Sequence, residues 1–232
     1  MKHFQILSAL LQYPEGVLQD ALPEIRAELA GAPAGVAQAV APLLDHLAAH
    51  DLIALQEGYV NTFDRGRNYS LHLFEHVYGE SRDRGPAMVS LMEEYTNRGF
   101  FIAADELPDY LPLFLEFLGQ TDEATAEEFL GESIHVIARI GEKLAEAGSP
   151  YAGVFTALRG LTDVEPLPLA EPPVRDMDEV MEKFGGGIDG MEPLLQPGLQ
   201  SGMQGGSCGS AAAQTIQFQP RGNAAAQQGV SR

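Results

Sequence analysis

Cations are scarce in this chain of 232 residues: 14 Lys and Arg stand against 33 Asp and Glu, a formal net charge of −19. A surface of that sign repels nucleic acid and anionic lipid and attracts basic partners. The charge therefore argues against nucleic-acid binding. Cys208 is the only cysteine, which leaves no internal disulfide and no cysteine-rich zinc site. That usage fits a reducing, cytoplasmic setting. No apolar run approaches the roughly 18 residues that a spanning helix needs, so no stable membrane insertion is expected. The opening MKHFQILSALLQYPEG does not read as a secretory signal, because Gln5 and Ser8 interrupt its apolar stretch and no small-x-small site follows. Sustained period-two alternation with β-branched residues is missing too, which argues against strands. No Gly-rich phosphate loop, Ser/His/Asp series or paired-carboxylate spacing stands out. Nothing in the chain demands an enzyme, and no cofactor is called for.

What is present is helical periodicity. Phe4, Leu7 and Leu11 share one face of a first helix, which Tyr13-Pro14-Glu15-Gly16 breaks. Pro23 suits the first turn of a second helix, which stops at Gly31. A third, from about Pro33 to His50, carries the stripe Val36, Val40, Leu43, Leu44 and Leu47, with Pro42 as a possible kink. Asp51 has the place of a cap for a fourth, with Leu52, Leu55, Tyr59 and Phe63 on one side. Met88, Leu91, Met92 and Tyr95 repeat with helical spacing further on. An intensely apolar helix follows around Leu111–Leu118, and the longest one is expected over Thr121–Ala147, with Asp122 and Glu123 at its positive end. Ser149-Pro150 opens a last helix to about Leu161. The fold class expected is all-α, a single helical-bundle domain over residues 1–163 with 45% hydrophobic residues to fill it.

Composition changes near Asp163. EPLPLAEPP is proline-rich, and the short amphipathic piece DMDEVMEKF follows. From Gly185 the chain is Gly, Gln, Ala and Ser with few apolar anchors, too few to offset the entropy of ordering. Residues 164–232 are therefore expected to be a flexible, largely disordered tail. Cys208, between Ser207 and Gly209, is expected to be an exposed unpaired thiol. TIQFQ near the end is at most a weak strand signal.

One stretch differs from the rest. Tyr59 to Leu91, YVNTFDRGRNYSLHLFEHVYGESRDRGPAMVSL, holds five aromatics, two histidines and four arginines in a chain poor in all three. Polar and aromatic residues concentrated on a loop mark a site more readily than packing. His72-Leu73-Phe74-Glu75-His76 spells H-x-x-E-H, the inverted zinc-protease pattern, in which two histidines one helical turn apart ligate and the glutamate is the base. Four nearby arginines oppose a dication, and no third ligand can be identified downstream. The opposing expectation is that both histidines hydrogen-bond loop carbonyls or carboxylates; no metal is expected, and a zinc-dependent hydrolase is kept as the alternative function. Asp64 to Glu75 begins and ends like a calcium loop, but Tyr69 stands where the turn needs glycine. Arg65, Arg67, Arg82 and Arg84 are expected mostly to pin the loops by pairing with Glu75, Glu80, Asp83 and Glu93; two such forks would also suit an anion. Glu106-Leu107-Pro108-Asp109-Tyr110-Leu111-Pro112 is a constrained acidic loop, or simply a helix start capped by Asp109. Phe114 beyond it is core with a possible groove-lining share.

These two stretches, the second running on as DELPDYLPLFLEFL, closely resemble the NarJ-type assembly chaperones of respiratory nitrate reductase, within the wider TorD/DmsD group of molybdenum-enzyme chaperones. The resemblance covers roughly residues 3 to 165. It implies an all-helical cytoplasmic protein that binds the N-terminal segment of the catalytic subunit. Such a chaperone holds that segment until the molybdenum cofactor is inserted, delays membrane docking, and is not part of the mature enzyme. By resemblance, Tyr59, Phe63, Arg65, Arg67, Asn68, His72, Phe74, Glu75, Tyr78, Gly79, Arg82 and Arg84 match the first family motif. Glu106, Pro108, Asp109, Tyr110 and Leu111 match the second, although Tyr110 stands where many members have histidine. With Phe114, and leaving out Gly79 and Pro108, these are the expected partner-binding residues. An apolar groove in an acidic protein would suit a basic amphipathic helix, with apolar anchors for affinity and charge for steering.

Overall fold

The computed structural model of the chain describes residues 1–65, 67–102 and 106–169. Among them are ten α-helices and no extended strand. They are α1 (Lys2–Leu10), α2 (Gly16–Asp20), α3 (Leu22–Leu29), α4 (Val36–Ala49), α5 (Leu52–Tyr59), α6 (Leu73–Tyr78), α7 (Arg84–Asn97), α8 (Leu111–Gln120), α9 (Glu123–Glu146) and α10 (Ala152–Arg159). Helix α5 runs on into a π-helical turn, Val60–Asp64, and a 3₁₀ turn, Arg67–Tyr69, follows.

The longest helix, α9, is the spine. Its apolar residues fall every three or four positions, so Leu130, Ile134, Ile137, Ile140 and Leu144 form one fully buried stripe. Its N-terminus is capped as the sequence leads one to expect: Asp122 accepts the amide of Thr125 at 3.0 Å. At the other end Gly148 takes a left-handed φ of 67°, the conformation that ends helices and suits glycine. Helix α10 packs against α9 and α4, and α1 packs against α8. The α10–α4 approach is close because Gly153 has no side chain; a Cβ there would meet the carbonyl of Ala39.

The expected stripe of α4 is buried throughout, and Pro42 sits inside that helix on its exposed side. Asp51 caps α5 by accepting the amide of Ala54 at 3.1 Å. Two features add to these expectations. Gly16 does not simply break the chain; it opens α2, a five-residue helix that buries none of its residues. The packed chain also runs on past Asp163. Val164 lies over Gly131, the amide of Leu167 donates to His135 Nδ1 at 2.9 Å, and Leu169 packs on the core. Residues 164–169 thus lie as an extended strap along α9. The acidic amphipathic piece, Cys208 and TIQFQ lie outside the described residues.

Candidate functional site

The two motif stretches meet. Residues 71–73 run antiparallel to residues 109–111: the amide of Leu73 donates to the Asp109 carbonyl at 3.0 Å, and the amide of Leu111 donates to the Leu71 carbonyl at 2.8 Å. His72 and Tyr110 form the one β-type bridge among the described residues. Their rings are tilted against each other with centroids 5.4 Å apart.

Asp109 is the centre of this junction. Its side chain is 0% exposed. It does not cap α8, whose flanking Tyr110 makes no side-chain cap and whose Pro112 needs no amide partner. Instead it reaches back to α6 and accepts the amide of Phe74 at 3.0 Å. A six-residue helix is too short to stand alone, so two of the orphan donors at its start, the amides of Leu73 and Phe74, are satisfied by the carbonyl and carboxylate of Asp109, 36 and 35 positions further along the chain. His72 Nδ1 donates to the other carboxylate oxygen at 3.4 Å, and Arg84 Nη2 lies 3.8 Å from the first. Arg84 Nη1 also reaches Glu75 at 3.4 Å. Arg84 Nε is buried and has no hydrogen-bond partner among the described residues.

In this geometry both histidines of the zinc pattern are engaged elsewhere. His72 precedes α6 in an extended conformation, so the two histidines do not share a helical turn. His72 is turned to Asp109, and that hydrogen bond raises its pKa above the ordinary histidine value against the opposing effect of burial. His76 Nε2 donates to the carbonyl of Ser70 at 2.8 Å; burial foremost lowers its pKa. Glu75 faces Arg84. Both histidines therefore bond a carboxylate and a loop carbonyl, as the opposing expectation held. Among the described residues no three ligating side chains converge.

The arginine lattice forms in part. Arg67 faces Glu80 at 3.7 Å, and Arg84 pairs as above. Asp83 bonds Ser81 at 3.0 Å rather than an arginine. Arg65 and Arg82 are exposed, with no side-chain ion pair or hydrogen bond among the described residues. Asn68 accepts from Lys143 Nζ at 2.8 Å, which ties the loop to α9.

The expected partner-binding residues separate into three groups. Tyr59, Phe63, Phe74, Asp109, Leu111 and Phe114 are buried. The Tyr59 hydroxyl donates to the Leu11 carbonyl at 2.9 Å, and its ring packs with Phe63, Tyr151 and Tyr13. Burial first, and the nearby Tyr110 hydroxyl second, push the Tyr59 phenol far up. Burial pushes Tyr151 up to about 12. Phe74 meets the edge of Tyr78 at 5.5 Å. His72, Glu75, Tyr78, Arg84 and Tyr110 are half-buried, and Arg65, Arg67, Asn68, Arg82 and Glu106 are exposed. Of the accessible residues, His72, Tyr110, Glu75 and Arg84 border the junction itself. Tyr95 was not among the candidates. Its hydroxyl donates to the Pro108 carbonyl at 2.9 Å, which holds the acidic loop from below. Its place in an apolar helical stripe hides that role, since the hydroxyl alone hints at a polar partner.

The described residues contain no helix long and apolar enough to cross a membrane. Comparison with known proteins gives one family. The family model described as nitrate reductase delta subunit matches residues 29–157. The nitrate reductase molybdenum cofactor assembly chaperone NarJ of Escherichia coli K12 is 40% identical over 182 residues, 77% of this chain and 73% of that protein. A Bacillus subtilis protein described as a probable chaperone of the same name is 30% identical over 158 residues, 67% of this chain and 85% of its own. Among solved structures, a candidate redox enzyme maturation protein from Archaeoglobus fulgidus aligns with a TM-score of 0.49 at 22% identity, covering 68% of this chain and 91% of that one.

Proposed function

The chain belongs to the nitrate reductase delta subunit family, and from that premise we propose that it is an assembly chaperone, not an enzyme, dedicated to a respiratory nitrate reductase. It binds the N-terminal segment of the molybdenum-containing catalytic subunit in the cytoplasm. It holds that segment while the molybdenum cofactor is inserted, delays docking to the membrane, and leaves before the enzyme is mature. The observation that carries this reading is the 40% identity to a protein named for nitrate reductase cofactor assembly. The meeting of the two motif stretches at Asp109 supports it, because their accessible rim of aromatic and charged side chains has the makeup of a peptide-docking edge.

Charge favours a basic segment. The whole chain carries −19, and an acidic surface accelerates encounter with a basic helix through long-range attraction. That attraction is screened over about 8 Å at physiological salt, whereas apolar anchoring is not. The direct test is co-purification from the native host: the catalytic subunit should accompany the chain in cells blocked in cofactor insertion, and the chain should be absent from the membrane-bound mature enzyme. Recovery of the chain in stoichiometric amounts with the mature enzyme would overturn the reading.

A further inference from the structure

The strap of residues 164–169 is held firmly at its start and lightly beyond it. Its start is anchored at Thr162, which is buried. The Thr162 carbonyl accepts from Arg159 Nη1 at 3.2 Å, and its hydroxyl accepts the amide of Val164 at 3.3 Å. Past that point little is covered: Val164 and Leu167 are 43% and 52% exposed. Glu165 reaches Arg159 at 2.6 Å, but its side chain is 86% exposed, and an ion pair open to solvent contributes little. Pro166 and Pro168 have no amide to give. The amide of Leu167 between them is the one backbone donor of these three residues, and it goes to His135 Nδ1 at 2.9 Å.

That bond fixes the state of the imidazole. A backbone N–H can only donate, so Nδ1 carries its lone pair and the ring is the neutral form protonated at Nε2. A proton on Nδ1 would set two N–H groups against each other across 2.9 Å, and the bond would be lost. Burial acts in the same direction, lowering the His135 pKa below the ordinary histidine value. The ring is half-buried and borders two hollows. One, of about 560 Å³, is lined also by Glu128, Glu132 and Val164; the other, of about 220 Å³, by Arg139, Glu142 and residues 166–169. The charged groups around the ring are therefore those four on α9 and Glu165 on the strap. Glu132 and Arg139, each about one turn from His135, act with opposite sign.

We propose that residues 164–169 are a proton-released strap: neutral His135 holds them on α9, and a proton taken up at Nδ1 lets the residues beyond Val164 lift from Gly131, His135 and Ala138. A histidine whose pKa is lowered in the closed state stabilises that state above its free value, near 6.5, and the hold is lost as pH falls. The strap is down at pH 8 and opens increasingly in acid. Thr162, bonded on both its carbonyl and its hydroxyl, is the fixed point about which it lifts. The device stands whether or not the chaperone reading does.

The experiment is nuclear magnetic resonance of the full chain. At pH 8 the imidazole nitrogen shifts of His135 should show a protonated Nε2 and a bare Nδ1. Between pH 8 and pH 5.5 the protection of the Leu167 amide, corrected for intrinsic exchange, should fall by up to about tenfold, the limit that a free histidine pKa near 6.5 sets. The amide of Ile140, inside α9, should keep its protection and so report that the fold is intact. His135→Asn places a carbonyl oxygen near the position of Nδ1 that does not titrate, and should flatten the pH dependence. His135→Ala removes the acceptor and should leave Leu167 unprotected at both pH values. A proton on Nδ1 at pH 8 overturns the proposal, as does equal Leu167 protection at the two pH values in the unchanged chain. Persistence of the pH dependence in His135→Asn overturns it too.

Discussion

The interior formed by α4, α9 and α10 and the junction of residues 71–84 with 106–111 are held by opposite physics. In the interior, Val40, Ile137, Ile140 and Val154 are fully buried among apolar side chains, and the attraction is non-directional and insensitive to pH or salt. At the junction a buried carboxylate organises two helices through an amide, an imidazole and a guanidinium. Such a centre depends on direction and on protonation. The comparison shows where this molecule is fixed and where it can answer to a partner or to the medium. The rim that faces outward is supported by the part whose strength is conditional.

The sharpest way to break the comparison is Asp109→Ala. It leaves His72 and the Phe74 amide without their carboxylate and Arg84 with Glu75 alone, and the loss of one partner of a buried charge pair costs about 3–5 kcal/mol. Urea unfolding measures the loss, and hydrogen exchange should show it concentrated in α6 and residues 106–111. Asp109→Asn keeps an acceptor and should recover part of it. A loss under about 1 kcal/mol would mean that the junction is held by packing after all.

Next in size is Ile137→Ala in the interior, expected to cost about 3 kcal/mol through the lost contacts and the cavity left in α9. Its signature should differ from that of Asp109→Ala: a uniform loss across the bundle, the same at pH 6 and pH 8, with peptide affinity unchanged under folded conditions. A pH-dependent loss would blur the distinction between the two regions.

A smaller effect sharpens it. The pKa of His72 is raised in the folded protein, chiefly by its hydrogen bond to Asp109. A raised histidine stabilises fully below its unfolded pKa, near 6.5, and that contribution is lost as pH rises through the higher folded value. His72→Gln should therefore cost more stability at pH 5.5 than at pH 8.5. His76, lowered mainly by burial, has the opposite sign: its stabilisation holds above the unfolded pKa and fades as pH falls. His76→Gln should accordingly cost less in acid. Denaturant titrations of the two variants across this range, each against the unchanged chain, check both signs; parallel profiles would refute them.

The smallest effect expected is at a local cap. Asp51→Ala removes the side-chain acceptor from the Ala54 amide and should cost about 1 kcal/mol. It belongs to neither region, so hydrogen exchange should show the loss confined to the start of α5.

The helices and their caps were legible in the chain because they are local. Apolar spacing of three and four marks a helix face wherever it ends up, and this placed α1, α3, α4, α5, α8, α9 and α10 near their observed bounds. Asp51 and Asp122 were readable as caps because a cap and its amide are three residues apart. Helix α2 escaped because Pro14 and Gly16 are breakers by composition, while the contacts that hold it, Gln19 to the carbonyls of Leu47 and His50 and Leu18 against the core, come from distant residues. The strap of residues 164–169 escaped for a related reason: its prolines signal a linker, while its packing depends on Gly131 and His135 of a distant helix.

By itself, then, the sequence determined an all-α body, a strongly acidic surface, and two motif stretches whose likeness to a chaperone family covers most of the chain. Only the tertiary structure decided what those stretches do to each other. Tyr59, Phe63, Phe74, Leu111 and Phe114 could line a groove or fill a core with the same spacing, because periodicity defines a face without saying what covers it. Asp109 could cap the helix that follows it or the one that begins 36 residues earlier. That choice depends on how the chain crosses itself at Leu71–Leu73, since a carboxylate bonds whichever donors the fold brings within 3 Å of it.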